Sequence, residues 1–255
     1  AGDSGGALGA ALYAYHVLLG QPRKFTMEHA YWGAEYSEAE MAAAIRARGL
    51  AYQTEDDSER LLGCAVDELL EGKVVAWYQG RFEWGPRALG NRSILADPRH
   101  GRMKEVVNTK IKFREMFRPF APVILEEHAA DYFATPRLEQ QYMPRYMLMV
   151  SPVTEGRQDE IQAVCHMGTG RLQSIRREWN PLYYGVVEKF RQATGVPVLL
   201  NTSFNLRGEP IVNTPDNALH TFSYSDMDLL VMGNFLVRKP EGYREGLPAR
   251  EVHLD

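Results

Sequence analysis

Along most of the chain, short apolar runs alternate with stretches whose apolar residues recur at helical spacing. Ser37 and Glu40 stand three apart before an alanine-rich stretch, the arrangement of a capping box, and predict a helix to about Arg48. A second helix is expected from near Ser58 to Glu71, stopped by Gly72. Residues 74–78 (Val-Val-Ala-Trp-Tyr) are short, apolar and rich in β-formers, as a buried strand requires. Residues 79–93 are punctuated too closely by Gly and Pro to form a regular element. Helical spacing returns at 101–111, while 120–125 and 146–150 read as strands. Asn180 followed by Pro181 opens a helix whose stripe of Leu182, Val186, Val187 and Phe190 belongs to a core. Residues 196–200 form another buried strand, with the polar run 201–210 as the loop after it. Thr214-Pro215 starts a last helix, and strands follow near 229–232 and 236–238. Strands alternating with helices in this way predict an α/β fold with a mixed sheet.

The opening is different. Residues 1–12 read as a glycine-rich turn leading into a helix to about Leu19, without the strand that normally feeds such a turn. We read it as the last piece of a domain severed just upstream. The chain then divides into a remnant and connector at 1–50, a main domain at 51–240 and a loosely ordered tail at 241–255.

Composition narrows the class. The 255 residues are 45% hydrophobic and 24% charged, enough for one full core and a smaller appendage. No run approaches the roughly 20 apolar residues of a membrane span, and the first residues do not read as a secretory leader. Cys64 and Cys165 alone cannot build a disulfide framework or a zinc ribbon, so a cytoplasmic protein is expected. The net charge of −4 argues against a general nucleic-acid binder. Its distribution says more. Between Lys73 and Arg118, four Lys and seven Arg face one Asp and three Glu, a basic segment inside an acidic chain. That pattern points to one anion-binding site.

Polar turns that follow apolar strands are where α/β proteins bind ligands. Arg87 and Arg92 stand in such a turn among Gly85, Pro86 and Gly90, and guanidinium groups grip phosphate or carboxylate oxygens in pairs. In 112–119, cations alternate with aromatics. An extended path would put Lys112 and Arg114 on one face, although a solvated edge with basic gatekeepers has the same look. In 201–210, Asn201, Thr202, Ser203 and Asn205 offer hydroxyls and amides suited to a planar carbonyl or an adenine edge, as a plain Asx turn also would. In His166-Met167-Gly168-Thr169-Gly170-Arg171-Leu172-Gln173, glycines bracket a threonine before an arginine, and His166 is taken as structural rather than as a base.

Residues 80–99, 112–122 and 201–212, in that order, resemble the signature motifs of the NodU/CmcH-type O-carbamoyltransferases, and the likeness runs to about Lys239. Thr202-Ser203-Phe204-Asn205-Leu206-Arg207-Gly208 also resembles the Thr-Ser-Ala-Asn-Leu-Ser-Gly loop of YrdC-type carbamoyl-adenylate-forming enzymes, and Lys112-x-Arg114 resembles their Lys-x-Arg motif. The resemblance implies a YrdC-like mixed twisted sheet with flanking helices, preceded by a small helical remnant of an actin/sugar-kinase-like domain. It implies an enzyme whose YrdC-like part makes carbamoyl-adenylate from carbamoyl phosphate and ATP with Mg²⁺. The kinase-like part would then pass the carbamoyl group to a hydroxyl of a sugar, an antibiotic or a nodulation-factor-like acceptor. Carried over by position, Arg87, Lys112, Arg118, Arg171 and Ser203 would hold carbamoyl phosphate and the transferred group. Arg92, Arg114, Asn201, Thr202, Asn205 and Arg207 would complete the substrate and nucleotide sites, with one of Arg176 or Arg177. Asp3 matches an aspartate that joins two histidines around iron in the complete enzyme, and those histidines are absent from this chain.

One departure stands out: the family has an Asp before Gly-Thr-Ala-Arg, whereas the stretch from His166 to Arg171 is one residue shorter and lacks the carboxylate. A free-standing threonylcarbamoyl-adenylate synthase lacks the Gly-Pro-Arg-Ala-Leu-Gly turn, and a hydrogenase-maturation carbamoyltransferase carries zinc fingers that two cysteines cannot build. From other classes, an RNA- or nucleotide-binding module using the basic aromatic segments and an inactive YrdC-like scaffold are the alternatives.

Overall fold

Local side-chain chemistry decides where the helices begin. The Ser37 hydroxyl accepts from Glu40 N–H at 3.3 Å while the Glu40 carboxylate accepts from Ser37 N–H at 2.8 Å, and this capping box opens α2 (Glu38–Ala47). Asp57 caps α3 (Ser58–Leu70), Asn180 caps α6 (Pro181–Thr194), and Thr214 with Asn217 boxes α7 (Pro215–Ser223). Both Pro181 and Pro215 fill a first helical position, where no N–H is needed. The other helices are α1 (Gly2–Tyr13), α4 (Met103–Val107) and α5 (Ala129–Tyr132); α1 and α4 run on into π-helical turns at Ala14–Leu18 and Asn108–Lys112. The computed structural model describes residues 2–113, 115, 117–240 and 243, with side chains from residue 5 onward.

Among the described residues nine strands form one mixed sheet: β1 (Ala51–Thr54), β2 (Val75–Tyr78), β3 (Arg92–Ala96), β4 (Ala121–Leu125), β5 (Met149–Pro152), β6 (Thr169–Ile175), β7 (Val198–Ser203), β8 (Leu229–Met232) and β9 (Phe235–Arg238). Their order is β1-β9-β8-β2-β3-β7-β4-β6-β5. The β2–β8 and β4–β6 pairs are parallel and the remaining pairs antiparallel. The sheet is central and covered, so β2, β3, β4 and β8 are buried at every position instead of alternating with solvent. The α3 and α6 helices pack on each other against it, as do α2 and α7 on each other. The expected mixed α/β architecture with flanking helices is present.

Several local expectations need correction. Arg92 and Ser93 already belong to β3, although 79–93 was expected to be irregular throughout, because β3 pairs with both β2 and β7. Strand β7 runs three residues further than expected, so Asn201, Thr202 and Ser203 are strand and not loop. Lys112 is not extended: it ends a helical turn, and Phe113 then takes a left-handed φ of 43°. The first residues form helix from Gly2, where a turn was expected. Among the described residues no helix is long and apolar enough to cross a membrane.

Two features outside the main core bear on the site. No residue from 5 to 20 is buried, and Leu12, Tyr13, Tyr15, Val17, Leu18 and Leu19 are exposed. The connector then returns to the sheet, where Met27, Ala30 and Tyr31 pack with Leu89, Ala121 and Met147 in a small cluster of their own.

Candidate functional site

Strand alternation determines which polar residues can meet. The registers pair Ser93 with Ser203, Ala121 with Asn201, and Val123 with both Leu199 and Gln173. Ser93, Asn201, Ser203, Gln173 and, two residues before it, Arg171 therefore share one face. Arg92 and Thr202 alternate to the other.

The turn 85–90 lies over this face and is fastened to it by side chains. Asn201 Nδ2 donates to the Ala88 carbonyl at 3.1 Å and to Gln173 Oε1 at 2.7 Å. Gln173 Nε2 donates to the Leu89 carbonyl at 2.7 Å, which also accepts from the Tyr31 hydroxyl at 2.7 Å. The turn approaches α6 so closely that only glycine fits at position 90: a Cβ there would stand 2.1 Å from Tyr183 Cδ1, and φ is +119°.

On this platform two cations come near enough to feel each other's charge. Arg87 is exposed at the crest of the turn and Arg171 is half-buried on β6. Burial, and then the neighbouring Arg87 guanidinium, hold the Arg171 pKa below its ordinary value. Arg171 Nε is buried with no hydrogen-bond partner, and the polar atom Asn201 Oδ1 is in the same state. Two neighbouring guanidinium groups, one of them with a buried donor to spare, have the chemistry to receive an anion.

A second group lies at the end of the same strand. Lys112 is buried, and its ammonium donates to the Ser203 carbonyl at 2.5 Å, the Asn205 carbonyl at 2.9 Å and Asn205 Oδ1 at 2.7 Å, with Ser203 Oγ at 3.3 Å. Ser203 Oγ donates to Asn205 Oδ1 at 2.7 Å, and Asn205 Nδ2 donates to the Glu209 carbonyl at 2.6 Å. The lysine thus shapes the loop whose hydroxyl and amide it was expected to accompany.

Arg92 was expected to reach a ligand, and this needs correction. Its side chain is fully buried on the opposite face, stacked on the Tyr78 ring at 3.7 Å. Its donors are taken by the carbonyls of Gln79 (2.6 Å), Asn91 (2.8 Å), Gly80 and Asn213, so it is a structural tie. Thr202 faces away from Asn201 and Ser203. Arg118 is exposed and paired with Glu115 at 2.9 Å, and Arg207 is exposed and donates to the Phe113 carbonyl at 3.0 Å. Arg114 and the Asp3 side chain lie outside the described residues.

The expected single anion site in the basic segment is likewise only partly realised. Lys73, Arg81 and Lys110 pair with Glu68, Glu35 and Asp228 from other parts of the chain, and Arg99 pairs with Asp97. Arg176 pairs with Glu126 and Arg177 lies over Tyr184. Both line a cavity of about 290 Å³ that also holds Glu127, Glu139 and Glu178, a setting that repels a polyphosphate. Among the described residues no group of three or more His, Cys, Asp or Glu side chains is placed to hold a metal ion.

The chain was compared with known proteins. The family model described as carbamoyltransferase C-terminus matches residues 66–239. The nodulation protein NolO of Bradyrhizobium diazoefficiens is 43% identical over 242 residues, covering 93% of this chain and 43% of that protein. The nodulation protein NolNO of Sinorhizobium fredii is 42% identical over 241 residues, 93% of this chain and 35% of that one. The 3'-hydroxymethylcephem-O-carbamoyltransferase of Streptomyces clavuligerus is 32% identical over 241 residues, 94% of this chain and 43% of that one. The chain thus spans less than half the length of these curated relatives. Among solved structures, full-length HypF in its phosphate- and nucleotide-bound form matches with a TM-score of 0.45 and 16% identity, over 68% of this chain and 21% of that one.

Proposed function

This chain belongs to the carbamoyltransferase C-terminal family, and from that premise we propose that it is the part of an O-carbamoyltransferase that binds carbamoyl phosphate and ATP and activates the carbamoyl group as carbamoyl-adenylate. The observation that carries the proposal is the Arg87–Arg171 pair, two cations from separate segments close enough to repel each other, with the Arg171 Nε buried and unpartnered. An isolated pair of like charges is unfavourable unless a ligand anion sits against it. The phosphate of carbamoyl phosphate has the charge and the fork-matching oxygens to do so.

Chemically, water displaces inorganic phosphate from the carbamoyl carbon to leave carbamate. A carbamate oxygen then attacks the α-phosphorus of ATP, the bond to the β-phosphate oxygen breaks, and pyrophosphate leaves. The protein's part is to offset negative charge and to orient. Arg87 and Arg171 hold the phosphate, while Ser203, on the same face, presents a hydroxyl to the carbamoyl group and Asn201 holds the turn that carries Arg87. Lys112 sets the position of that hydroxyl. Each well-placed donor of this kind contributes about 3–4 kcal/mol to such a step. The final acceptor we propose is an organic hydroxyl, reached through the portion of the relatives' length that lies outside this chain.

Isothermal titration of the full chain with carbamoyl phosphate, with and without a non-hydrolysable ATP analogue, tests the reading. Wild type should bind, and Arg87→Ala and Arg171→Ala should each weaken binding at least about tenfold, or 1.4 kcal/mol. Wild-type affinity in both variants would show that the phosphate lies elsewhere.

A further inference from the structure

The turn that carries Arg87 is anchored from beneath by a residue that plays no part in the scheme above. Glu83 precedes the turn and is buried, with a relative exposure of 1%. Its Oε1 accepts three backbone N–H groups, from Asn91 at 2.7 Å, Leu89 at 2.9 Å and Arg92 at 3.2 Å. These donors come from the far limb of the turn, so one oxygen draws residues 89–92 back over residue 83 and fixes the loop's width. The near limb is held separately: Trp84 N–H donates to the Ala30 carbonyl at 2.6 Å, and Tyr31 bridges Glu83. Both limbs of the turn that bears Arg87 are thus fastened.

We infer that Glu83 is a positioning residue of the donor site, whose single oxygen sets the turn 85–90 so that Arg87 meets Arg171. The inference rests on the reading of that arginine pair as the carbamoyl-phosphate site. Glu83 reaches its three partners because its two-methylene stem spans the turn; an Asp, one methylene shorter, falls short of them. A Gln reaches equally far and keeps the accepting oxygen. The other oxygen, Oε2, is buried without a partner, and the Tyr183 hydroxyl, itself beside Ser93 and Asn201, feels its charge. A Gln amide there has that hydroxyl in its surroundings as an acceptor. Burial also pushes the Glu83 carboxyl up from the ordinary carboxylate range against the pull of its N–H donors, so an uncharged replacement is apt.

The full chain carrying Glu83→Gln or Glu83→Asp separates position from mere stability. Two readouts are needed: amide hydrogen exchange at Leu89, Asn91 and Arg92 without ligand, and titration with carbamoyl phosphate and, separately, a non-hydrolysable ATP analogue. Glu83→Gln should keep the three amides protected and bind carbamoyl phosphate within threefold of wild type. Glu83→Asp should speed exchange at those amides at least tenfold and weaken carbamoyl phosphate at least tenfold. Its affinity for the ATP analogue should change less than threefold, and core amides in β7 and β8 should stay protected. The inference is overturned if Glu83→Asp exposes the amides yet binds carbamoyl phosphate normally, if Glu83→Gln is as impaired as Asp, or if Asp opens the core, which would make Glu83 a residue of stability alone. Failure of wild type to bind carbamoyl phosphate would remove the donor-site reading itself, and the ligand-free exchange data keep that outcome distinct.

Discussion

Replacing Gly90 by Ala should damage both stability and ligand binding, and Gly85 supplies the control. Both glycines have nearly the same φ, +119° at Gly90 and +120° at Gly85. An L side chain in that region costs about 1–3 kcal/mol. They differ in surroundings. A Cβ at Gly85 meets nothing within 4 Å, whereas at Gly90 it would stand 2.1, 2.4 and 2.5 Å from three atoms of the Tyr183 ring. Carbon atoms settle at roughly 3.5–4.0 Å, so the ring or the turn must retreat by more than about 1 Å. Tyr183 is fully buried beside Ser93 and Asn201 and has little room to retreat. Overpacking of this kind costs about a further 1–3 kcal/mol. Gly85→Ala should therefore lose about 1–3 kcal/mol and Gly90→Ala about 2–6 kcal/mol, measured as urea midpoints with unchanged m-values. Carbamoyl-phosphate affinity should fall in Gly90→Ala, because the turn that carries Arg87 is what moves. Equal losses from the two substitutions would refute the close-packing explanation, leaving backbone conformation as the sole cost.

Three other outcomes are expected. Arg87→Ala should unfold at the same temperature as wild type or higher, since it relieves the repulsion on Arg171 while abolishing ligand affinity; a fall of more than about 4 °C would contradict this. Asn180→Ala should cost about 2–4 kcal/mol, because it removes the cap on α6 and the Nδ2 donor held 2.8 Å from Asn91 Oδ1. Asn180→Asp, which keeps the cap alone, should recover about 1 kcal/mol of that in chemical denaturation, and an Asp variant no better than Ala would contradict the assignment. The Glu188 carboxylate is held down to about 2 by its bond to Arg191, with burial opposing. A folded pKa below the unfolded one gives stability that is present above about pH 4.5 and lost as pH falls towards 2, so Glu188→Gln should flatten an acid titration of stability in that window.

What could be read from the chain beforehand follows the range of the interactions involved. Helices α2, α6 and α7 were legible because their caps lie within three residues of their starts, and α3 because Gly72 stops it. Strand β3 was not, because Arg92 and the surrounding glycines look like a ligand loop until pairing with β2 and β7 draws the segment into the sheet. The same long-range pairing turned Arg92 from an expected ligand contact into a buried tie. Arg87 was singled out from its turn and Arg171 from motif likeness, and the fold sets the two close enough for their charges to interact. Glu83 and Gln173 were inside quoted motifs but drew no role. The contact that gives Gln173 its meaning spans 84 residues. The one available signal for Glu83 was an acid wedged between Phe82 and Trp84 directly before Gly85-Pro86, a place where burial was foreseeable.

The Lys112 ammonium has three protons, and the oxygens of Ser203 and Asn205 lie within 3.3 Å of it. Any anion arriving at the end of β7 must win its share of that charge from the protein's own oxygens. Affinity there is the outcome of a competition, and whatever loosens the lysine's grip on Asn205 hands the advantage to the newcomer while freeing the loop up to Glu209.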